Sequence, residues 1–409
     1  MNKYIIKILP WTVCISASLF LFYEFIQGNM FASIADYIMY DFHIPANKMA
    51  YLSSIHYLAN VLFLFVAGII LDKFSTKKII LFAMSLCIIS TFILSQAHSF
   101  YLALICRFIT GIGRAFCFLG PVRLASRWFP AKSMAMVTGI IVTIAMTGGM
   151  IAQYPMTKLV SQIGWRGALV QVSILGVIML AIMAIGIIDK ESTNNFIKKI
   201  TIKKIYLNPQ IIYAAAYTSL MNMGIAVFGA LIGSLYLMQR LNITKETAAM
   251  INSLLFIGAI VGGPIIGWLS DKLKLRILPM KTASVCSLIT ILYILYGSSS
   301  IFIMKILFFL FGFFTAAQII SYALVAESNP LNITGSAVSM ISILTQSGYI
   351  IYQNIFSWLL TIHNQNYVSN IIPTYDLSDY NYAAIILPIG MFIACLITFM
   401  LNETHGRHE

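Results

Sequence analysis

Long apolar runs separated by short polar loops repeat along the whole chain. A helix needs about 20 mostly apolar residues to cross a bilayer. The runs are too long and continuous for the strands of a membrane barrel, which alternate apolar and polar residues. The pattern therefore predicts an all-α integral membrane protein with twelve transmembrane helices. The predicted spans are residues 11–34, 50–71, 78–96, 100–121, 134–157, 167–188, 210–238, 248–270, 282–298, 301–323, 336–361 and 382–402.

A short charged motif occurs twice, once in each half of the chain. It reads G-I-I-L-D-K-F-S-T-K-K from Gly68 and G-W-L-S-D-K-L-K-L-R from Gly267, 199 positions later. In both copies the glycine is followed four residues later by Asp-Lys, where an apolar run ends. The repeat predicts two related six-helix halves at residues 1–189 and 209–409, joined by a basic linker at 190–208. Duplicated membrane halves are typical of secondary transporters, which hold the substrate between the halves near the bilayer midplane.

Composition and charge agree with a lipid-embedded chain. Hydrophobic residues make up 60% of the sequence and charged residues 10%, whereas a soluble domain has about 25% charged residues. The net charge of +13 does not indicate nucleic-acid binding, because the basic residues lie in short loops rather than on one basic face. With the N-terminus inside, the inner loops carry 18 Lys and Arg and the outer loops carry 5. This asymmetry predicts that both termini are cytoplasmic.

No feature of the sequence indicates an enzyme. The six cysteines lie inside apolar runs, without the spacing of metal ligands or of a disulfide framework. No nucleophile–base pair, metal cluster or phosphate-binding loop is visible. We therefore expect no cofactor and no metal, and a monomer whose partners are the lipid bilayer, a small-molecule substrate and protons. Frequent Ile, Asn and Lys indicate an AT-rich genome, so we expect a bacterial inner membrane.

Few ionisable residues fall inside the predicted spans. Such a group costs about 2.5–3.5 kcal/mol at mid-bilayer, so it usually faces a cavity or a partner. Glu24 in span one is a candidate proton carrier or a ligand for a substrate ammonium group; alternatively, it is a structural partner for an arginine of span four. His56 could titrate near neutral pH and join proton coupling, but its place near the outer end of span two favours an interfacial residue. Lys305 in span ten is expected to snorkel to the outer surface.

Two arginines in span four form the other charged feature. Arg107 and Arg114 are seven residues apart, so they share one face of the helix. Arg stays charged and presents a planar fork to carboxylates. One or both could therefore hold a carboxylate-bearing substrate, whereas the alternative for Arg107 is a hydrogen bond to the backbone of a neighbouring span. With more positive than negative charge inside the membrane, a shared cavity would favour an anion or a zwitterion.

Uncharged polar residues provide a candidate cavity lining. Gln346, Tyr349 and Gln353 recur at helical spacing in span eleven, so they share one face. Hydrogen bonds between helices are the competing explanation for any single polar residue. Glycines of spans four and five are expected to permit close helix packing; they are Gly111, Gly113, Gly148 and Gly149. The other candidate lining residues are Tyr23, Gln27, Asn29, Gln153, Tyr154, Asn222, Asn252, Gln318 and Tyr322.

Three motifs resemble the signatures of the major facilitator superfamily. The first is the motif at Gly68 between spans two and three, and the second is Arg107-x-x-x-Gly111-x-Gly113 in span four. A third, glycine-rich pattern in span five is partly present but lacks the Gly-Pro pair seen in many antiporters. The resemblance implies the major facilitator fold, with two pseudo-symmetric six-helix halves, and transport by alternating access.

Three further stretches are similar to a proteobacterial branch of that superfamily, related to nutrient carriers of intracellular bacteria and to lysosomal dipeptide carriers. This similarity suggests amino acids, peptides or other small organic solutes. The stretches are Phe22-Tyr23-Glu24-Phe25, Arg127-Trp128-Phe129-Pro130 and Gly164-Trp165-Arg166-Gly167-Ala168.

The superfamily resemblance also implies a cytoplasmic gate. Asp72 should pair with basic residues near the end of span four, where Arg123 and Arg127 lie one helical turn apart. Such a gate would close when the site faces outward. The alternative for the lysines is plain positive-inside topology. The predicted gate residues are Gly68, Asp72, Lys73, Lys78, Arg123, Arg127, Gly267, Asp271 and Lys272.

The leading functional hypothesis is a proton-coupled symporter for a small carboxylate-bearing solute, such as an amino acid, a peptide or an organic acid. The first alternative keeps the fold and exports a siderophore or a drug by proton antiport; the incomplete span-five pattern argues against it. The second is a membrane sensor or scaffold that does not transport, against which stand both hairpin motifs and the intramembrane charges. A facilitator without proton coupling stays open if Glu24 is structural.

Overall fold

The computed structural model describes residues 3–130, 133–189, 208–297, 300–329, 331–364 and 375–405, with side chains except at 3–7, 72, 135 and 331–339. Helices account for all the regular structure in these ranges. Almost all of the predicted linker at 190–208 lies outside them. Contacts divide the chain into two compact units, Met1–His43 with Tyr51–Phe196 and Ile44–Ala50 with Ile197–Glu409. The short Ile44–Ala50 segment belongs to the second unit, where the Ala46 amide donates to the Tyr375 hydroxyl (3.0 Å).

In the described residues, the first unit has eight α-helices. Two of them carry the candidate charges of spans one and four, and the helix that begins at Ala46 carries His56. The helices are α1 (Lys3–Asn29), α2 (Phe31–Phe42), α3 (Ala46–Lys73), α4 (Thr76–Ser95), α5 (Phe100–Arg114), α6 (Leu119–Trp128), α7 (Met134–Ile151) and α8 (Tyr154–Gly186).

The second unit contains the remaining helices, and two of its spans change helix type midway. A π-helix at Ile225–Ile232 interrupts span seven, and a short 3₁₀ turn at Ala316–Ile319 interrupts span ten. The α-helices are α9 (Pro209–Met221), α10 (Gly233–Leu241), α11 (Lys245–Leu273), α12 (Ile277–Tyr296), α13 (Ile301–Thr315), α14 (Ile320–Glu327), α15 (Leu331–His363), α16 (Leu377–Ala384) and α17 (Ile386–Ile397).

Ten helical stretches in the described residues are long and apolar enough to cross a membrane. One of them, Met136–Gly186, contains predicted spans five and six. The chain turns between those two spans at Gly164, whose φ of 73° favours glycine. Predicted span eleven corresponds to α15, which is long enough but carries several amides and is not among the ten. Each predicted span therefore falls on described helical segments, a single helix for some spans and two or three consecutive segments for others.

Glycines allow neighbouring helices to approach backbone to backbone. A Cβ on Gly148 of α7 would lie 2.3 Å from the Phe22 carbonyl oxygen of α1. A Cβ on Gly312 of α13 would lie 1.9 Å from the Leu255 carbonyl oxygen of α11. Such contacts exclude any larger residue, so Gly148 has the packing role expected from the sequence. The close approach of α7 also fixes the segment of α1 that carries Glu24.

Candidate substrate and proton site

Four ionisable side chains of the first unit meet in its interior. They come from three helices: Glu24 from α1, His56 from α3, and Arg107 and Arg114 from α5. Glu24, His56 and Arg107 have no exposed surface, and Arg114 is 6% exposed. Gly111 allows the helices to meet, because a Cβ there would lie 2.2 Å from the His56 carbonyl oxygen. We call these four side chains the charge cluster.

Both arginines donate to backbone carbonyls of α1. Nη1 of Arg114 lies 3.0 Å from the Glu24 carbonyl oxygen, and Nη1 of Arg107 lies 3.2 Å from the Gln27 carbonyl oxygen. Gly28 leaves room for this approach, since a Cβ there would lie 3.2 Å from Nη1 of Arg114. The backbone hydrogen bond considered for Arg107 from the sequence is therefore present. It accounts for only one of the nitrogens of that guanidinium.

One edge of the Arg107 guanidinium has no acceptor among the described residues. Its Nε and Nη2 atoms are buried and make no hydrogen bond there. These two atoms form the side-on fork that binds a carboxylate through parallel hydrogen bonds. One face of the guanidinium lies over the Phe31 ring, with 4.6 Å between its Cζ and the ring centroid. Because the ring covers one face of the guanidinium, the donor edge formed by Nε and Nη2 is the part of Arg107 that can bind an anion.

The Glu24 carboxylate is also without a conventional hydrogen-bond donor in the described part of the chain. Neither carboxylate oxygen makes a hydrogen bond there, and Oε2 lies 3.6 Å from Nε2 of His56. The Cys87 thiol lies beside the carboxylate, but it donates to the Thr110 carbonyl oxygen at 3.6 Å. In the part of the chain that the structure describes, Glu24 is therefore held among positive charges without a direct ion pair to an arginine.

His56 lies deep in the first unit, so the interfacial position favoured by the sequence is wrong. Its Nδ1 lies 3.1 Å from the Thr110 hydroxyl, and its Nε2 lies 3.5 Å from Nη1 of Arg114. The error has a physical cause: helix α3 begins at Ala46, so His56 lies about three turns into the helix rather than near its end.

Two further predicted residues of the first unit are buried outside the charge cluster's contacts. Tyr23 packs against α8 at Gly176, where a Cβ would lie 2.9 Å from its ring. Gln153 lies at the junction of α7 and α8, and its Nε2 is 3.5 Å from the Asn29 carbonyl oxygen. Both contacts therefore hold α1 against its neighbouring helices.

In the second unit, the predicted lining residues form separate contacts. Gln353 is fully buried, and its amide donates to the Ala226 carbonyl oxygen of the π-helix at 3.0 Å. Asn222 ends α9 and donates to a carbonyl of its own helix. Gln318 lies in the 3₁₀ turn and is partly exposed. Gln346 and Tyr349 lie on α15 with Gln353, and Oε1 of Gln346 is buried without a hydrogen bond in the described residues.

The first hairpin motif is only partly described. The side chain of Asp72 lies outside the described residues, so its pairing with Arg123 or Arg127 stays a prediction. Arg127 reaches Asp189, with 2.6 Å between Nη1 and Oδ1. The same carboxylate accepts from the Ser75 hydroxyl and the Lys77 amide. Asp189 thus caps the start of α4, where a helix N-terminus favours a carboxylate. Lys73 and Lys78 are exposed, and Gly68 has no atom near its Cβ position.

The last residue of the second hairpin motif, Arg276, holds the motif in place through two carboxylates. Arg276 donates to Asp271 (2.5 Å) and, through Nε and Nη2, to the carboxylate of Glu327 (shortest distance 2.6 Å). Burial alone would lower the Arg276 pKa, but the hydrogen bonds and charges of Glu327 and Asp271 outweigh it and raise the pKa. Lys272 lies over the Trp268 ring (4.9 Å), and Gly267 is open.

Sequence reasoning missed the carboxylates that follow the last span of each half. Asp189 caps α4, and Glu403 accepts from the backbone amides of Arg276 and Ile277 at the start of α12 (2.7 and 2.8 Å). The signal was available, because each acidic residue directly follows a long apolar run. Glu327 was missed because it lies beyond predicted span ten.

A further ion pair joins three segments of the first unit: the end of α2, the residues after α4, and α8 just after Gly164. Asp41 lies in the last turn of α2 and pairs with Arg166, and it also accepts from Nε1 of Trp165 at 2.8 Å. Nη2 of Arg166 donates to the Ala97 carbonyl oxygen. Burial works to raise the Asp41 pKa, but the hydrogen bonds from Trp165 and Arg166 and the charge of Arg166 lower it overall.

A family model titled Major Facilitator Superfamily matches residues 16–353 and 214–408. The chain belongs to the Major Facilitator Superfamily. Members of this superfamily are transporters rather than enzymes, so the chain is a multi-pass membrane transporter with a small-molecule substrate. The resemblance to this superfamily found in the sequence is thereby confirmed.

Solved transporters of this superfamily have the same fold. One is a bacterial homologue of the human lysosomal transporter Spinster, in an inward-facing and unoccupied conformation. It has 16% identity and a TM-score of 0.73, covering 98% of this chain and 97% of that one. Another is the nucleoside transporter NupG, with 15% identity and a TM-score of 0.73 over 96% and 99% of the two chains. At these identities the likeness shows the fold alone.

Two curated relatives match shorter segments. The probable sulfoacetate transporter SauU of Cupriavidus necator is 28% identical over 113 residues, which are 28% of this chain and 26% of SauU. The agnestins efflux protein AgnL12 of Paecilomyces divaricatus is 28% identical over 124 residues, 29% of this chain and 28% of AgnL12. The chain therefore aligns with little more than a quarter of each relative.

Proposed function

We propose that this transporter carries a small carboxylate-bearing solute across a bacterial inner membrane by alternating access, in symport with protons. The observation that carries this proposal is the Arg107 donor edge, buried in the charge cluster without an acceptor in the described residues. An unmatched buried charged donor costs stability, so its retention favours a use in binding. Arg114, which the sequence favoured over Arg107, donates Nη1 to the Glu24 carbonyl oxygen and lies 3.5 Å from Nε2 of His56.

Glu24 supports the proton-coupled part of the proposal. A buried carboxylate needs a proton or a positive partner, and both of its oxygens lack a hydrogen bond in the described residues. Taking up a proton neutralises the carboxylate and leaves both arginine charges available to the substrate. Releasing the proton provides the arginines with an internal counter-ion when the substrate leaves. This exchange couples the proton to an anionic or zwitterionic solute.

The comparison with SauU agrees with an organic anion, because sulfoacetate carries a carboxylate and a sulfonate. The comparison with AgnL12 favours a second candidate, proton-coupled efflux of a drug or a siderophore. The partial glycine pattern of α7 stands against efflux. The Asp72 and Asp271 hairpins keep their proposed role as a gate on the cytoplasmic side, and both termini are proposed to lie on that side.

The proposal is tested by ligand-induced thermal stabilisation of the purified protein. Amino acids, dipeptides, simple carboxylates, sulfoacetate and siderophores would be screened against wild type, Arg107→Gln and Lys305→Gln. Lys305 is the matched control, because it is a basic span residue of the second unit and is partly exposed. We expect a carboxylate-bearing ligand to bind wild type and Lys305→Gln alike. Arg107→Gln should weaken its binding by about 10–100-fold, the worth of hydrogen bonds to a charged group.

Two outcomes would contradict the proposal. If the ligand binds Arg107→Gln as tightly as wild type, the role of Arg107 is limited to its structural hydrogen bond to the Gln27 carbonyl oxygen. If stabilisation comes only from bulky apolar compounds, efflux becomes the leading function. An Arg114→Ala variant in the same screen separates the two arginines, since we assign Arg114 to the positioning of Glu24 and His56.

A further inference from the structure

Hydrogen bonds around His56 determine which imidazole nitrogen carries a proton. The Thr110 hydroxyl lies 2.8 Å from the Arg107 carbonyl oxygen, and a carbonyl can only accept, so the hydroxyl donates there. A hydroxyl has one proton. Toward Nδ1 of His56, 3.1 Å away, the Thr110 oxygen must therefore accept. Neutral His56 thus carries its proton on Nδ1 and has a lone pair on Nε2.

The Nε2 atom faces the acidic and basic members of the charge cluster. It lies 3.6 Å from Oε2 of Glu24 and 3.5 Å from Nη1 of Arg114. The lone pair on Nε2 and a carboxylate oxygen repel each other unless a proton lies between them. At 3.6 Å the two atoms are beyond a hydrogen bond but within a small side-chain movement of one. A proton on either atom would provide the donor that Glu24 lacks in the described residues.

We propose that Glu24 and His56 share a single proton, and that Thr110 positions the imidazole to do so. This inference rests on the proposed function, since it identifies where the coupled proton resides. The proton moves between Oε2 of Glu24 and Nε2 of His56 without any change in covalent bonding elsewhere. Thr110 is a positioning residue, because it acts through His56.

The shared proton also sets the sign of coupling. With the proton, the Glu24–His56 pair is neutral, whether the proton is on the acid or on the imidazole. Without it, the pair carries one negative charge, which cancels one of the two arginine charges. Proton binding therefore raises the net positive charge of the cluster and strengthens anion binding. By linkage, the anion strengthens proton binding equally, which is the arrangement of a symporter.

The other titratable and charged groups around the pair come from each helix packed against it. Arg107 and Arg114 face it from α5, Cys87 from α4 and Tyr57 from α3. Tyr23 adjoins Glu24 on α1, and Cys117 lies just beyond α5. The thiols and phenols ordinarily stay neutral below about pH 8. The Glu24–His56 pair is therefore the group of this set that exchanges a proton near neutral pH.

The test is an infrared titration of the ligand-free protein in liposomes, following the protonated-carboxyl band between about pH 5 and pH 9. We expect a band that titrates in wild type and is absent in Glu24→Gln. In His56→Gln and in Thr110→Val, the midpoint should move to lower pH by about 0.5–1 unit, the worth of one hydrogen bond. Thr110→Ser keeps the hydroxyl and should restore the wild-type midpoint.

Two results would overturn the inference. One is a Glu24 band whose midpoint is unchanged in His56→Gln, and the other is a midpoint in Thr110→Val equal to that of wild type. His56→Gln leaves Thr110 in place, so the shared proton stays testable even if Thr110→Val does not fold. No substrate is used. A failure here therefore leaves the carboxylate proposal standing, and a failed ligand screen leaves this titration interpretable.

Discussion

The interiors of the two units are polar in different ways. The first unit buries four ionisable side chains near one another: Glu24, His56, Arg107 and Arg114. In the described part of the second unit, the polar groups buried within the spans are amides and hydroxyls, such as those of Asn252 and Gln353. Its buried charges lie at or beyond helix ends, as Arg276 and Glu327 do.

This difference matters because burying a charged side chain in a membrane costs more free energy than burying an amide. The amides of the second unit support irregular backbone: Asn252 and Gln353 donate to carbonyls of the π-helix at 2.9 and 3.0 Å. In the first unit, Arg107 and Arg114 also donate to carbonyls, near the end of α1, but a charged side chain costs more to bury in a membrane than an amide that could make the same hydrogen bond. We infer that the first unit carries the ion chemistry, and that the second provides shape and hydrogen bonds.

The difference between the two units is tested most directly by replacing one buried polar side chain in each. Glu24→Gln should abolish accumulation of the ligand driven by a pH gradient in proteoliposomes, because the variant has no carboxylate to carry the proton. Exchange of labelled for unlabelled ligand should persist, since exchange needs no net proton movement. The ligand is the compound identified by thermal stabilisation, and external pH is recorded during uptake.

The matched substitution in the second unit is Gln353→Leu. It removes the donor to Ala226 and should slow uptake and exchange together by a few-fold, about the effect of one lost hydrogen bond. Accumulation against the gradient should remain. If Gln353→Leu uncouples the proton and Glu24→Gln does not, the assignment of ion chemistry to the first unit is wrong.

The two hairpin motifs provide a second comparison, with a smaller expected effect. The Arg276–Glu327 pair is nearly buried, with side chains 10% and 9% exposed, whereas Arg127 and Asp189 are 14% and 22% exposed. Arg276→Ala leaves the buried Glu327 carboxylate without its ion-pair partner, which costs about 3 kcal/mol. Arg127→Ala breaks a more exposed pair, worth about 1 kcal/mol. We therefore expect the larger drop in melting temperature from Arg276→Ala.

Melting of both variants in the same detergent, beside wild type, measures this difference. Arg276→Lys is the control, because it keeps the charge but cannot bind both Glu327 and Asp271 through a fork. It should fall between wild type and Arg276→Ala. Equal melting temperatures for Arg127→Ala and Arg276→Ala would mean that burial does not distinguish the two motifs.

The smallest expected effect concerns the Asp41–Arg166 ion pair of the first unit. The Asp41 pKa is lower in the folded protein than the usual unfolded value of about 3.9. Its contribution to stability is therefore complete above about pH 5 and is lost as the pH falls through the folded-state pKa. Because Asp41 is 31% exposed, the contribution should be no more than about 1 kcal/mol.

Melting curves of wild type and Asp41→Asn at a series of pH values check this expectation. Wild type should be slightly more stable near neutral pH, and the gap should close on acidification. A gap that widens in acid would reverse the sign and show that Asp41 is not held in its charged form by Arg166 and Trp165.

Much of the architecture could be predicted from the sequence, because lipid imposes a simple rule. Every backbone polar group in the membrane must be bonded within its own helix, so length and hydropathy alone identify the spans. The spacing of Arg107 and Arg114 correctly predicted a shared face of α5. The close approach at Gly148 was also expected, since small residues let helices pack. These are all properties of residues near one another along the chain.

Which charges meet depends on how the helices pack against one another. The sequence favoured an interfacial His56, whereas α3 begins at Ala46 and brings the imidazole to within 3.6 Å of the Glu24 carboxylate. Thr110 had no signal in the sequence, because its role depends on a hydroxyl between Arg107 and His56. The same holds for Asp189 and Glu403, which cap helices far away along the chain. Hydropathy determines that a helix crosses the membrane, but the directions of individual hydrogen bonds depend on how the helices pack together.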